Sequence, residues 1–155
     1  MIVPVERAAT IVACLAPGPL GFGHGARVSL RRGEEVVPLL EEVAATMEAL
    51  GYSPRDVAGL CLGLEEAVVN GLRHGNGSDP RKQVVVRYCV TAEEVLAEVE
   101  DEGPGFDPAR VPDPRLPENL DRPGGRGLLL MRHYLSWVRF SGRGNRVTLC
   151  KRPSP

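Results

Sequence analysis

The chain has 155 residues and a net charge of −1, with 43% hydrophobic and 25% charged residues. Near-neutral charge excludes a broad basic face for nucleic acid, and no apolar run approaches the roughly 20 residues needed to span a membrane. The 18 Gly and 14 Pro are about a fifth of the chain, above ordinary usage but below the level of low-complexity sequence.

Residues 1–25 carry Pro17, Gly18, Pro19, Gly21, Gly23 and Gly25 with no sustained period and read as a disordered tail outside the fold. Residues 26–31 alternate weakly, as an edge strand does. Over 34–50 the positions Val36, Val37, Leu40, Val43, Ala44, Met47 and Leu50 recur at helical spacing, and Gly51 is a natural residue to close that helix. Ser53 and Pro54 open a second helix as N-cap and first helical residue, with Asp56 favoured by the dipole in its first turn. Its apolar stripe is Val57, Leu60, Cys61, Leu64, Val68 and Leu72, and it stops near Gly75-Asn76-Gly77. Gly63 and Gly71 inside it each cost about 1 kcal/mol relative to Ala.

Residues 83–90 and 94–100 read as two strands. A third helix covers 128–135, and 137–140 with 146–151 form a last hairpin around 142–145. Helices, then strands, a long loop, a helix and a hairpin lack the alternation of a doubly wound sheet. The order predicts an α+β two-layer sandwich: a mixed, mostly antiparallel sheet with helices on one face, forming a single domain over 26–152. Cys14, Cys61, Cys89 and Cys150 form no CxxC pair. The last three lie among apolar neighbours and read as reduced core thiols, which places the protein in the cytoplasm without a cysteine metal site.

Three constellations carry chemistry. Glu66, Asn70 and His74 are spaced by four, so they share one helix face within about 80°. A carboxylate one turn from an amide pairs a proton acceptor with an oxygen ligand for Mg²⁺; alone, the triplet is better read as a solvated polar face, and the adjacent Glu65 reads as surface. Asp101-Glu102-Gly103-Pro104-Gly105-Phe106 ends a Val- and Leu-containing strand. It offers a directed carboxylate, able to accept from an exocyclic amine, beside a backbone that a flat ligand can approach; an ordinary turn has the same composition. Gly124-Gly125-Arg126-Gly127 runs into Leu128-Leu129-Leu130-Met131, presenting free N–H groups and a positive dipole end to phosphate, or simply feeding a helix. Between the last two, residues 107–123 hold five prolines, which exclude regular structure. A loop of that length that begins and ends at ligand motifs reads as a lid over a nucleotide.

In order and spacing the three constellations resemble the N, G1 and G2 boxes of the Bergerat-fold (GHKL) ATPases, the superfamily of gyrase and the histidine kinases. The match is closest to the RsbW-type anti-sigma-factor serine/threonine kinases. It covers about residues 30–151, through "GLEEAVVNGLRHGN", "EDEGPGF" and "GGRGLLLM". The resemblance implies that Asn70 ligands a Mg²⁺ on the ATP phosphates, that Glu66 is the base for the attacking hydroxyl, and that Asp101 bonds the adenine amine. It implies that Gly103 and Gly105 let the chain pass the base and that Gly125, Gly127 and Leu128 donate N–H groups to phosphate. His74 matches the box and joins the nucleotide-binding residues, with helix-end packing as its alternative. Arg126 either contacts phosphate or faces solvent.

The Thr that contacts adenine in relatives has no counterpart, because Asn145 follows Gly144 and Thr148 lies three further on. The resemblance implies a cytoplasmic kinase that binds a sigma factor and phosphorylates a Ser or Thr of a small antagonist of the STAS type, with a homodimer common among relatives. The competing reading is an ATP-dependent binding module that sequesters a partner without transfer. A detached histidine-kinase catalytic domain is disfavoured, because His24 in a Gly-rich stretch is no phosphoacceptor on a dimerising helix pair.

Overall fold

The computed structural model of the protein describes residues 25–121 and 125–155, so the tail expected over 1–25 lies, but for its last residue, outside the described residues. The first strand, β1 (Ala26–Leu30), leads through a short turn into α1 (Val36–Ala49). Helix α2 (Pro54–Asn70) follows, then the hairpin strands β2 (Val84–Val90) and β3 (Val95–Glu100). Helix α3 (Arg126–Tyr134) precedes the closing hairpin of β4 (Trp137–Ser141) and β5 (Arg146–Lys151).

The sheet order is β1-β2-β3-β5-β4, and every neighbouring pair is antiparallel. The expectation allowed a mixed sheet. Among the described residues no parallel pair occurs, because two of the four pairs are hairpins and β5 returns alongside β3 in the opposite direction. Alternation along the strands sends Val84, Val86 and Tyr88 of β2, Val95, Ala97 and Val99 of β3, and Val147 and Leu149 of β5 into one core. Against that face lie Leu39, Val43 and Met47 of α1 and Leu60, Leu64 and Val68 of α2. Leu60 and Leu64 are 0% exposed, and burial of a side chain of this size contributes about 1.5–3 kcal/mol. The two layers of the expected sandwich are present, with the core between them.

Local signals set the helix ends. The Ser53 hydroxyl accepts from Asp56 N–H at 3.1 Å, and Gly51 after α1 adopts the left-handed φ of 86°. Gly59 and Gly63 let α3 approach α2 closely: a Cβ at Gly63 would sit 2.9 Å from Leu135 Cδ1, and one at Gly59 would sit 3.1 Å from Tyr134 Cβ. The end of α2 is wider than an α-helix. Over Gly71–Gly75 the chain makes a π-helical turn, in which Asn76 N–H donates to Gly71 O at 2.8 Å. Such turns recur at functional sites.

The C-terminal residues are tied to the start of α2. Asp56 is 1% exposed and lies 2.8 Å from Lys151 Nζ, while Ser154 donates to it from N–H at 2.9 Å and from its hydroxyl at 2.6 Å. Burial opposes ionisation, yet the hydrogen bonds from Lys151 and Ser154 hold the Asp56 carboxyl far below the ordinary carboxylate range. Cys61 and Cys150 are free thiols, as expected. Burial raises both, Cys150 to about 11. Cys89 departs from the expectation: it is disulfide-bonded and lies outside the core cluster that its β2 neighbours Tyr88 and Val90 join or pack against. Among the described residues no helix is long and apolar enough to cross a membrane.

Candidate functional site

A cavity of about 570 Å³ opens between α2, α3 and the β3–β5 part of the sheet, within the range of about 300–1,000 Å³ usual for small-molecule sites. All three sequence constellations reach its wall. Glu66, Asn70 and His74 come from α2 and the π turn, Asp101 and Gly105 from the loop after β3, and Gly125, Arg126, Gly127 and Leu128 from the start of α3.

Glycines bring these segments together. A Cβ at Gly127 would overlap Glu66 Oε2 and lie 3.4 Å from Asn70 Nδ2. The absence of a side chain there therefore lets the α2 carboxylate reach the first turn of α3, where the dipole favours negative charge. Gly75 does the same for Asp101, whose carboxyl atoms occupy the space a Cβ at Gly75 would take. Gly103 lies off the cavity wall: it is buried against the Gly75 carbonyl, which a Cβ would strike. The sequence pairs Gly103 with Gly105 as residues that pass the ligand; the structure gives Gly103 a packing role beneath Asp101 and leaves Gly105, at φ 79°, on the wall.

Asp101 lines the cavity. Its Oδ1 accepts from Gly103 N–H at 2.7 Å, and burial raises its carboxyl above the ordinary range, against the lowering effect of that bond. The loop around it is held from both sides: Glu102 N–H donates to Asn76 Oδ1 at 2.8 Å, and Arg143 Nε donates to Gly103 O at 3.0 Å. Apolar Val99, Met131, Phe140 and Val147 line the neighbouring wall, a surface suited to a flat ring beside a directed acceptor.

The start of α3 also lines the cavity; there Gly125 takes φ 76° and the N–H groups of the first turn have no carbonyl of their own helix to bond. Arg126 is exposed, and its guanidinium reaches Leu120 O at 3.5 Å. It therefore touches the 107–123 segment while also lining the cavity. That segment contains only the three-residue 3₁₀ turns Pro108–Arg110 and Pro117–Asn119 as regular structure among its described residues, in line with its prolines. Its bonds are mostly internal, such as Asn119 Nδ2 to Asp113 O at 2.8 Å, and Val111 lines the cavity. Glu65 is exposed, as expected.

Sequence reasoning missed several wall residues. Arg73 is one turn after Asn70 and next to His74, but periodicity marks it only as polar. Phe140 and Phe106 stack edge to face at 5.2 Å between ring centroids, a contact between segments that no local pattern announces. Asn145 and Arg146 come from the last hairpin. Thr148, which the sequence left without a role, lies in register with Glu98 and off the cavity wall.

Comparison with known proteins agrees with this geometry. Residues 31–151 match the family described as the histidine kinase-like ATPase domain. The chain is also similar to the serine/threonine-protein kinase BtrW of Bordetella bronchiseptica, with 31% identity over 100 residues that cover 62% of this chain and 70% of that protein.

Proposed function

This chain belongs to the histidine kinase-like ATPase domain family, and on that footing we propose that it is an ATP-dependent serine/threonine kinase of the anti-sigma type. It passes the γ-phosphoryl group of ATP to a Ser or Thr of a small STAS-type antagonist, and it binds a sigma factor in the cytoplasm. The observation that supports this reading is the meeting of Glu66, Asn70 and Gly127 at the first turn of α3. Similarity to a protein named as a serine/threonine kinase points the same way.

In this reading the adenine lies against Met131 and Phe140, with its exocyclic amine donating to Asp101. Guanine carries a carbonyl at that position and would repel the carboxylate. The phosphates lie at the start of α3, where the N–H groups of residues 126–128 and the helix dipole stabilise negative charge. Asn70, whose side chain lies beside the start of α3 with Glu66, carries an amide oxygen that would suit Mg²⁺, a cation usually held by few protein ligands together with substrate phosphates. Among the described residues no group of three or more His, Cys, Asp or Glu could hold such an ion, so Asn70 and the nucleotide would share it. When bound, the ion neutralises charge developing on the phosphates.

Glu66 takes the proton of the acceptor hydroxyl as that oxygen bonds to the γ-phosphorus. The bond from phosphorus to the β–γ bridging oxygen breaks, and ADP leaves with the electron pair. Transfer of this kind depends on positioning and charge stabilisation rather than on covalent chemistry by the protein. The described part of the 107–123 segment, residues 107–121, joined to α3 through Arg126 and Leu120, closes over the triphosphate as a lid.

The test is incubation of the purified protein with γ-labelled ATP, Mg²⁺ and the antagonist-type domains encoded in the same genome, with Glu66→Gln alongside. Label on a Ser or Thr of one domain, absent with Glu66→Gln, is the expected result. ATP-dependent capture of a partner without labelling would replace the kinase with the binding-module reading.

A further inference from the structure

We propose that Asn145 is a positioning residue that sets the preference of the site for adenine, by holding Asp101 in place from the turn before the neighbouring strand β5. The inference rests on the nucleotide reading above and adds to it a residue outside the three motif segments.

The ladder between β3 and β5 ends with the pair Glu100 and Arg146. One residue further, the strands would ordinarily part, because Asn145 already belongs to the turn that joins β4 to β5. They stay joined instead. Asp101 N–H donates to Asn145 O at 2.9 Å, and the Asn145 side-chain Nδ2 donates to Asp101 O at 2.9 Å. The side chain thus supplies the donor that a backbone N–H would give in a continuing ladder, and both main-chain polar groups of Asp101 are tied to one residue 44 positions away.

The consequence for the carboxylate is geometric. With N–H and C=O both fixed by Asn145, and Oδ1 fixed by Gly103 N–H, the Asp101 backbone and its side-chain torsions are all constrained. The same turn is keyed into the loop a second time: a Cβ at Gly105 would overlap the Arg143 carbonyl, and one at Gly144 would overlap the Phe106 carbonyl. Asn145 itself lines the cavity, so this constraint is applied directly beside the ligand. A hydrogen-bond acceptor discriminates between an amine and a carbonyl only while its position is held, because a mobile carboxylate can turn away from the wrong base. Holding Asp101 is therefore the step at which preference for ATP over GTP is set.

The test is equilibrium titration of ATP and of GTP into the full chain and into Asn145→Ala and Asn145→Asp, with circular dichroism to confirm folding. Asn145→Asp is nearly isosteric but places an acceptor against the Asp101 carbonyl in place of the donor. If only Asn145→Ala fails to fold, the Asp variant still decides the matter. The expected result for Asn145→Ala is about a 5- to 10-fold loss of ATP affinity, the size of one hydrogen bond, with GTP affinity little changed and the preference narrowed to match. Asn145→Asp loses at least as much. An ATP-to-GTP ratio equal to wild type in the folded variants overturns the inference, even if both affinities fall together, because that is the signature of packing alone. A wild-type chain that binds neither nucleotide removes the nucleotide reading, and this inference with it.

Discussion

Replacing Gly127 by Ala separates chemistry from stability at this site. The new methyl group would overlap Glu66 Oε2 and lie 3.3 Å from Glu66 Cδ. Asn70 Nδ2, at 3.4 Å, is in ordinary contact and need not move. The group that must yield is the free end of a flexible side chain, so its displacement by about 1 Å or more costs little folding energy. Gly127 also lies in the first turn of α3, where Ala is favoured over Gly by at most about 1 kcal/mol. The two effects oppose each other, and the net stability change should stay within about 1 kcal/mol, or roughly 2–4 °C in Tm for a chain of this size.

Catalysis is far less tolerant. A misplacement of about 1 Å in a reacting group can cost on the order of 100-fold, or about 2.7 kcal/mol of transition-state stabilisation. The assay pairs a thermal melt and an ATP titration with the rate of label transfer to the acceptor domain. Expected are a near-unchanged Tm, ATP affinity within about 3-fold of wild type, and transfer reduced roughly 100-fold. Undiminished transfer by the folded variant would refute the argument that Glu66 acts from its place beside the start of α3.

Gly144→Ala should behave in the opposite way. Its φ of 89° and the Phe106 carbonyl in the path of a Cβ predict a loss of at least about 2 kcal/mol, read as a lower urea midpoint; an unchanged midpoint would show that the turn relaxes freely. Asn70→Ala should abolish the gain in ATP affinity that Mg²⁺ confers, measured by titration with and without the ion, and an equal gain in both proteins would count against Asn70 as a metal ligand. The Asp56 carboxyl is lower in the folded chain than in the unfolded one, so its stabilisation is complete above the unfolded value of about 3.9 and is lost as pH falls below it towards the folded value. Denaturant melts from pH 6 to pH 2 should show a steeper acid loss for wild type than for Asp56→Asn; parallel curves would remove the buried pair as the cause. At neutral pH, Asp56→Ala strands Lys151, whose side chain is 11% exposed, at a cost of about 3–5 kcal/mol.

What the sequence revealed, and what it hid, follows from how far each signal reaches along the chain. Ser53, Pro54 and Gly51 act on their neighbours, and the helices they bound are where local chemistry puts them. The stripe of α2 was legible because burial repeats with the period of the helix, whereas in α1 the core takes Leu39, which the expected stripe omits, and leaves Val37 and Leu50 exposed. The three segments that meet at the cavity were legible as separate patterns, but their contacts were not. That Gly75 makes room for Asp101, or Gly127 for Glu66, depends on segments brought together only by folding. The π turn at Gly71–Gly75 keeps the hydrophobic spacing of an α-helix closely enough to pass for one. Asn145 reads locally as a turn residue, and its bond to Asp101 appears only once β5 is seated beside β3. Lys151 ends the last strand with nothing local to name its partners, yet its ammonium lies against Asp56 at the start of α2 and the Tyr134 carbonyl at the end of α3, at 3.1 Å from the latter.

The most direct test of the nucleotide site is a crystal structure of the protein with Mg²⁺ and a non-hydrolysable ATP analogue. The account predicts the adenine amine within hydrogen-bond distance of Asp101, the phosphates against the N–H groups of residues 126–128, and the ion on Asn70 Oδ1. An analogue bound outside this cavity, or bound within it with its phosphates at Asp101, would contradict it.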